Sequence, residues 1–149
     1  MIKDSGERRE FNTGAVRDIQ EGKGRCDLLP LGVASTMLSR DDVLWNLEMY
    51  HSTNKTDYLH QALRYFCLVQ FDGSMETMLL EVSKHFEEGA KKYGENNWQK
   101  GLPPSCYIDS AIRHYLKFRR GDNDEPHHLA FVWNLMCCCW EVDYHDKDN

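Results

Sequence analysis

The spacing of apolar residues constrains this chain more than any other feature. From about residue 39 to residue 141 they recur three and four positions apart, the period of an α-helix with one buried face. No stretch alternates in the manner of a strand, and no internal repeat appears. Ser39 with Asp42 resembles a capping box, followed by Val43, Leu44, Trp45, Leu47 and Met49. A second helix is expected from about Lys55 to Gln70, with Leu59, Ala62, Leu63 and Phe66 as its stripe and Tyr58, Tyr65 and Val69 beside it. Asp72-Gly73-Ser74 breaks the chain, Ser74 caps a third helix, and Gly94 ends it after Tyr93. A loop then runs through Asn96-Asn97-Trp98 and Gly101-Leu102-Pro103-Pro104. Ser105 caps a fourth helix to about Arg119, and Arg120-Gly121-Asp122-Asn123 turns. Asp124 caps a fifth, reaching about Glu141, with Pro126 accommodated in its first turn. The expectation is an all-α bundle.

Its 149 residues suit one domain: an irregular arm over 1–38, helices over 39–141 and a polar tail over 142–149. The arm is rich in Gly, Asp, Arg and Lys, which leaves an ordered arm and a solvated tail equally open. A net charge of −6 argues against a polymeric nucleic-acid partner but not against a small polyanion. No window approaches the roughly 18 apolar residues of a membrane span. Met1-Ile2-Lys3-Asp4-Ser5 opens without the apolar core of a secretory signal, so a cytoplasmic protein with no membrane partner is expected. The six cysteines form no CxxC pair. Cys137, Cys138 and Cys139 point in three directions on a helix and read as reduced thiols acting as small hydrophobes.

Chemistry gathers beside the apolar stripes of the last three helices. On the third, Leu79, Val82, Phe86, Ala90 and Tyr93 form the expected stripe. Glu87 then falls at its border as the better inward ligand, and Glu88 points outward. Glu87 could equally form a surface pair with Lys91. Gly89, costly inside a helix, is expected to permit a close approach. On the fourth helix Ile108, Ile112, Tyr115 and Leu116 face inward, with Asp109 and Arg113 four apart at the border. They form either a helix salt bridge or a cation ligand with a phosphate-binding fork. His114 projects elsewhere and could cap, pair or touch a ligand. On the fifth, Glu125 and His128 share the face of Leu129, Val132, Met136 and Cys139. A carboxylate there is costly unless paired or metal-bound. Trp98 could stack on a base or anchor the loop; Asn97 and Asn134 could read a purine edge or be structural. If the helices form a bundle, these groups could converge on Mg²⁺ or Mn²⁺. No Walker P-loop, GxGxxG, HExxH or nucleophile elbow is present.

At these residues the chain resembles a known family. The motifs are Gly14-Ala15-Val16-Arg17-Asp18 and Glu21 to Pro30 in the arm, Gly89-Ala90-Lys91-Lys92-Tyr93-Gly94, Asn97-Trp98, Asp109 to His114, Glu125-Pro126-His127-His128, and Trp133-Asn134. They are similar to the dATP/dGTP diphosphohydrolase N-terminal-type (MazZ-like) proteins of phages and prophages, relatives of the MazG-like all-α nucleotide pyrophosphohydrolases. Residues 35–72 match less distinctly. The resemblance implies hydrolysis of a purine deoxynucleoside triphosphate to monophosphate and pyrophosphate with Mg²⁺ or Mn²⁺, a homo-oligomer (dimer or tetramer), and a place in phage nucleotide-pool remodelling, including pathways to 2-aminoadenine DNA. Carried over, Glu87, Glu125 and Asp109 become catalytic and metal-binding, with Glu88 and His128 as further ligands. Arg17, Lys23, Arg25, Lys91, Lys92, Tyr93, Asn97, Trp98, Arg113, His114 and Asn134 become substrate contacts. Two departures stand out: His128 replaces the acid of the MazG-type ExxD pair, and Glu87-Glu88 followed by Lys91 departs from EExxE. Activity on dUTP or dCTP, a nucleotide-binding module without catalysis, and a purely structural helical protein are the alternative readings.

Overall fold

A computed structural model of the chain describes residues 5–71 and 73–145. Met1 to Asp4 of the leader reading, Asp72 of the expected chain break and residues 146–149 of the polar tail lie outside the described residues. Among the described residues, six α-helices carry the fold: α1 Leu31–Met37, α2 Asp42–Thr53, α3 Asp57–Tyr65, α4 Met75–Tyr93, α5 Pro104–Arg120 and α6 His127–Trp140. Short π-helical turns extend α3 over Phe66–Gln70 and α6 over Glu141–His145. The all-α expectation holds, with one addition. Arg8–Glu10 (β1) and Val16–Asp18 (β2) form a small antiparallel hairpin that pairs Arg9 with Arg17. Three-residue polar strands are too short to show an alternating pattern, and α1 is likewise hidden in the polar arm.

Several helix starts differ from the sequence reading, each for a local reason. Ser39 does not cap α2, because Ser39 and Arg40 both sit in the left-handed region, at φ 58° and 64°. Asp41 caps instead, accepting from Leu44 N–H at 2.9 Å. Ser74 does cap α4, accepting from Thr77 N–H at 3.0 Å. The fourth helix starts at Pro104 without a side-chain cap, one residue ahead of Ser105. The last helix starts at His127, not after Asp124. Glu125 precedes a proline, which disfavours helical geometry there, and Pro126 itself has ψ 80°.

The core lies where α6 passes through the bundle. Its residues are buried on nearly every side, from His127 and Leu129 to Cys139, as expected of a helix apolar all round. Phe131 packs on Phe66 at 4.5 Å between ring centroids and on Tyr115 at 5.4 Å. The Tyr115 hydroxyl donates to Asp41, which also pairs with Arg119 at 3.0 Å, so α5 grips the start of α2. All six thiols are free, and Cys137, Cys138 and Cys139 are all buried. Burial raises all three thiols, Cys139 to about 12, which fits inert small hydrophobes. No helix among the described residues is long and apolar enough to cross a membrane.

Gly101 is the tightest junction. At φ +112°, a Cβ there would lie 2.8 Å from the His145 ring and 3.1 Å from the Thr13 methyl. Gly89 differs, since its Cβ would meet only Trp133, at an ordinary 3.9 Å; the backbone does not need glycine there. Gly101→Ala is therefore expected to destabilise the fold by roughly 1–3 kcal/mol. Gly89→Ala should stabilise it by about 0.5–1 kcal/mol. Urea unfolding of the two variants beside the parent measures both signs.

Candidate functional site

A cavity of about 460 Å³ opens between the arm, α4, α5 and α6. The arm reaches it because side chains of the bundle hold its backbone. The Asn97 amide is used at both ends, donating to Val16 C=O and accepting from Val16 N–H, each at 2.8 Å. Thr13 donates to Gly101 C=O at 2.5 Å. Asp109, buried on α5, accepts from Cys26 N–H and from Arg113, both at 2.6 Å. Arg113 then donates to the carbonyls of Lys23 and Gly24. The arm is thus ordered.

So docked, β2 sends Arg17 into the bundle. Its guanidinium donates to Ser110 on α5 at 3.1 Å and to Asn134 on α6 at 3.0 Å. It lies over the rings of Tyr107 and Trp133. No carboxylate of a described residue stands within ion-pair distance of it, and neither Arg17 Nη1 nor Trp133 Nε1 has a hydrogen-bond partner. Lys117, also on the cavity wall, makes no ion pair with a described residue. At Arg17 the cavity holds positive charge that no carboxylate of a described residue neutralises.

The opposite charge sits one turn along α5 from Ser110 and two turns back along α6 from Asn134. His114 Nδ1 and His127 Nδ1 are 2.9 Å apart. The Glu125 carboxylate, its side chain 7% exposed, approaches His114 at 3.8 Å and accepts no hydrogen bond from a described residue. Asp124 accepts from His127 Nε2 at 2.7 Å. His127 therefore presents a bare Nδ1, to which His114 Nδ1–H donates. Burial, then the neighbouring His127, holds the His114 imidazole down at about 3, so it is neutral. His114, Glu125 and His127 offer ligand atoms all within 4.8 Å of one another and could hold a metal ion. A second such group, Asp122, Asp124 and His127, shares one histidine.

The structure redistributes the residues singled out from sequence. Along α4 the buried face is Met78, Val82, His85 and Gly89, one position earlier than the apolar pattern suggests. At 100° per residue, this turns Glu87 almost directly away from it. Glu87 is exposed and outside the cavity, whereas Glu88 is half-buried. The sequence order of the two is reversed, because His85 and Gly89, neither of them obviously apolar, pack against Trp133. His128 stacks on Phe71 at 5.0 Å, outside the cavity, and burial lowers its pKa. It does not share a face with Glu125, since the helix starts only after Pro126.

Asp109 and Arg113 line the cavity yet bind each other, the helix-pair reading. Asn97 and Asn134 spend their amides on Val16, and on Arg17 and Ala130 C=O, respectively. Trp98 anchors its loop between Phe86 and Trp140. Lys23 lines the cavity, paired with Asp18 at 2.7 Å, while Arg25 forks onto Asp27 outside it. Tyr93 lines the wall under Arg8; Lys91 is exposed and Lys92 half-buried. Glu125, His114 and Arg17 are the expected residues that the structure brings to the two charged ends. Without a role assigned from sequence, His127 joins the cluster, and His85, Ser110, Lys117 and Trp133 line the cavity. The one available signal for His127 was Glu125-Pro126, which fixes where α6 begins.

Fold and cavity together define a helical protein whose polar interior pairs an unneutralised cationic end with an imidazole–carboxylate cluster. The family profile described as dATP/dGTP diphosphohydrolase, N-terminal, matches residues 52–149, more than half of the chain, and the chain belongs to that family. The match begins after the arm, so Arg17 falls outside it. No curated protein and no solved structure matches the chain.

Asn97→Ala is expected to cost roughly 1–3 kcal/mol, by stranding the Val16 backbone groups, and to speed proteolysis within residues 11–25, read by mass spectrometry. His85 is held down at about 4, chiefly by burial, against an ordinary 6.5. The unfolded chain therefore binds protons that the folded chain refuses. Stability of the metal-free protein should fall as pH drops from 6.5 towards 4, seen as a declining Tm; His85→Gln should make the decline shallower, with His114 and His128, also held down by burial, supplying the rest.

Proposed function

We propose that this chain hydrolyses purine deoxynucleoside triphosphates, dATP or dGTP, to the monophosphate and pyrophosphate with a divalent cation, Mg²⁺ or Mn²⁺. Family membership supports a nucleotide substrate. The observation that carries the reading is the charge at two ends of one cavity that no described residue pairs: Arg17 at one and the Glu125 carboxylate, with only the neutral His114 in reach among the described residues, at the other. A polyphosphate with its cation supplies the missing partner to each.

The residues present fit such a cation only in part as the sequence suggested. Glu87 is exposed and Asp109 is engaged, so the all-carboxylate set is dispersed. Glu125 remains, with His114 and His127 beside it. A cation held there would act as a Lewis acid on a phosphoryl oxygen. The rest falls to the chain's own groups. Arg17, fixed by Ser110 and Asn134, presents a preorganised donor for phosphate oxygens at no further ordering cost. Lys117 adds charge at the wall. Tyr93 and Trp133 offer ring surface for a base. The arm covers the cavity and limits water around the phosphates. The water oxygen bonds to the α-phosphorus, the bond from that phosphorus to the bridging oxygen breaks, and pyrophosphate leaves.

Incubating the protein with each dNTP and Mn²⁺ or Mg²⁺, with products separated by chromatography, tests the reaction. Monophosphate and pyrophosphate are expected from dATP or dGTP ahead of dUTP and dCTP. Arg17→Ala and Glu125→Gln should each cost roughly 10²-fold or more in kcat, while Glu87→Gln should leave turnover unchanged. Loss on Glu87→Gln but not on Glu125→Gln would overturn the assignment of the site.

A further inference from the structure

We infer that His114, His127 and Glu125 bind a first-row transition-metal dication, taking Mn²⁺ in preference to Mg²⁺, and that Asp124 is the positioning residue of this site. The inference narrows the cation of the function proposed above. Its test is binding, which is read apart from turnover.

Four observations converge. The Glu125 carboxylate is almost fully buried, accepts no hydrogen bond from a described residue, and among the described residues pairs with no basic group but His114, at 3.8 Å. A buried carboxylate in that state is costly, and a cation would remove the cost. His114 Nδ1 and His127 Nδ1 are 2.9 Å apart, and ligand atoms of His114, His127 and Glu125 all lie within 4.8 Å of one another. Asp124 occupies the far nitrogen of His127, the carboxylate–histidine arrangement that orients metal-binding imidazoles and makes them more basic. The cluster also opens onto the cavity through His114 and Glu125, which gives an ion a path in.

Local structure explains why these three meet. Pro126 keeps Glu125 out of the helix, so its side chain turns back towards α5. His127, the first residue of α6, points across to His114. In the absence of an ion, His114 Nδ1–H donates to His127 Nδ1. For His114 Nδ1 to hold an ion, its proton would have to sit on Nε2 instead, which leaves both Nδ1 lone pairs free to bind.

The donor set chooses the ion. Mg²⁺ favours an octahedron of oxygens, whereas imidazole nitrogen suits transition ions. The alternative group of Asp122, Asp124 and His127 is weaker, because Arg120 already forks onto Asp122 at 2.8 and 2.5 Å.

The full chain, stripped with EDTA, is titrated calorimetrically with Mn²⁺ and with Mg²⁺, and the Mn²⁺ form is examined by pulsed electron paramagnetic resonance. One Mn²⁺ per chain, bound at least about tenfold more tightly than Mg²⁺, with nitrogen coupling from imidazole, is the expected result. His114→Gln and Glu125→Gln should abolish tight binding. Asp124→Asn should weaken it about 10–100-fold, and Asp122→Asn should leave it unchanged. Circular dichroism and Tm of each metal-free variant establish that the fold persists. Equal affinity for Mg²⁺, absence of nitrogen coupling, or loss on Asp122→Asn with retention on His114→Gln would each overturn the inference. Tight Mn²⁺ binding with no hydrolysis of any triphosphate would support the metal site and overturn the proposed function instead.

Discussion

Asp109 is the contact on which the remaining architecture depends. A carboxylate buried on α5 would be a liability by itself. Here it accepts the Cys26 amide from the arm and the Arg113 guanidinium from its own helix, and Arg113 in turn holds two arm carbonyls. One buried charge thereby fastens an otherwise polar, glycine-rich segment to the bundle. Together with the Asn97 clamp on Val16, next to Arg17, that anchor fixes the approach of Arg17 to Ser110 and Asn134 and so sets the cavity's wall and cationic end.

The bundle leaves polar groups inside because α5 and α6 meet through small and polar side chains over part of their shared length. Towards the C-terminal end of α6 the contact is thiols and aliphatics. Towards its start the contact is His127, Asn134 and, from α5, Ser110 and His114. Apolar packing, including Phe131 on Tyr115, stabilises one face of that contact, and the face towards the cavity carries groups that satisfy one another incompletely. Sites that perform chemistry commonly carry such local cost.

The sequence made the helices legible because five amphipathic stripes have a clear 3.6-residue period. Its hairpin and α1 were not legible, since neither is long enough to establish a period within polar surroundings. For the site, Glu125 and Arg17 were visible as charges in motifs, but their company was not. The wheel for α4 ranked Phe86 and Ala90 above His85 and Gly89, and so turned the helix by one residue and chose Glu87. Extending α6 back to Asp124 paired Glu125 with His128, although the residue before a proline rarely stays helical. Both errors came from treating polarity as a guide to exposure where a cavity reverses it. The docking of the arm depends on contacts more than 80 residues apart, such as Asn97 with Val16, which no local pattern reveals.

The start of the family match at Ser52 places the two charged ends of the cavity on different parts of the chain. His114, Glu125 and His127 lie within the shared segment; Arg17 lies in the arm ahead of it. The seats for Arg17, Ser110 and Asn134, lie inside the shared segment. The cationic end is therefore a joint between the two parts of the chain, and a change on either side alone would unseat it.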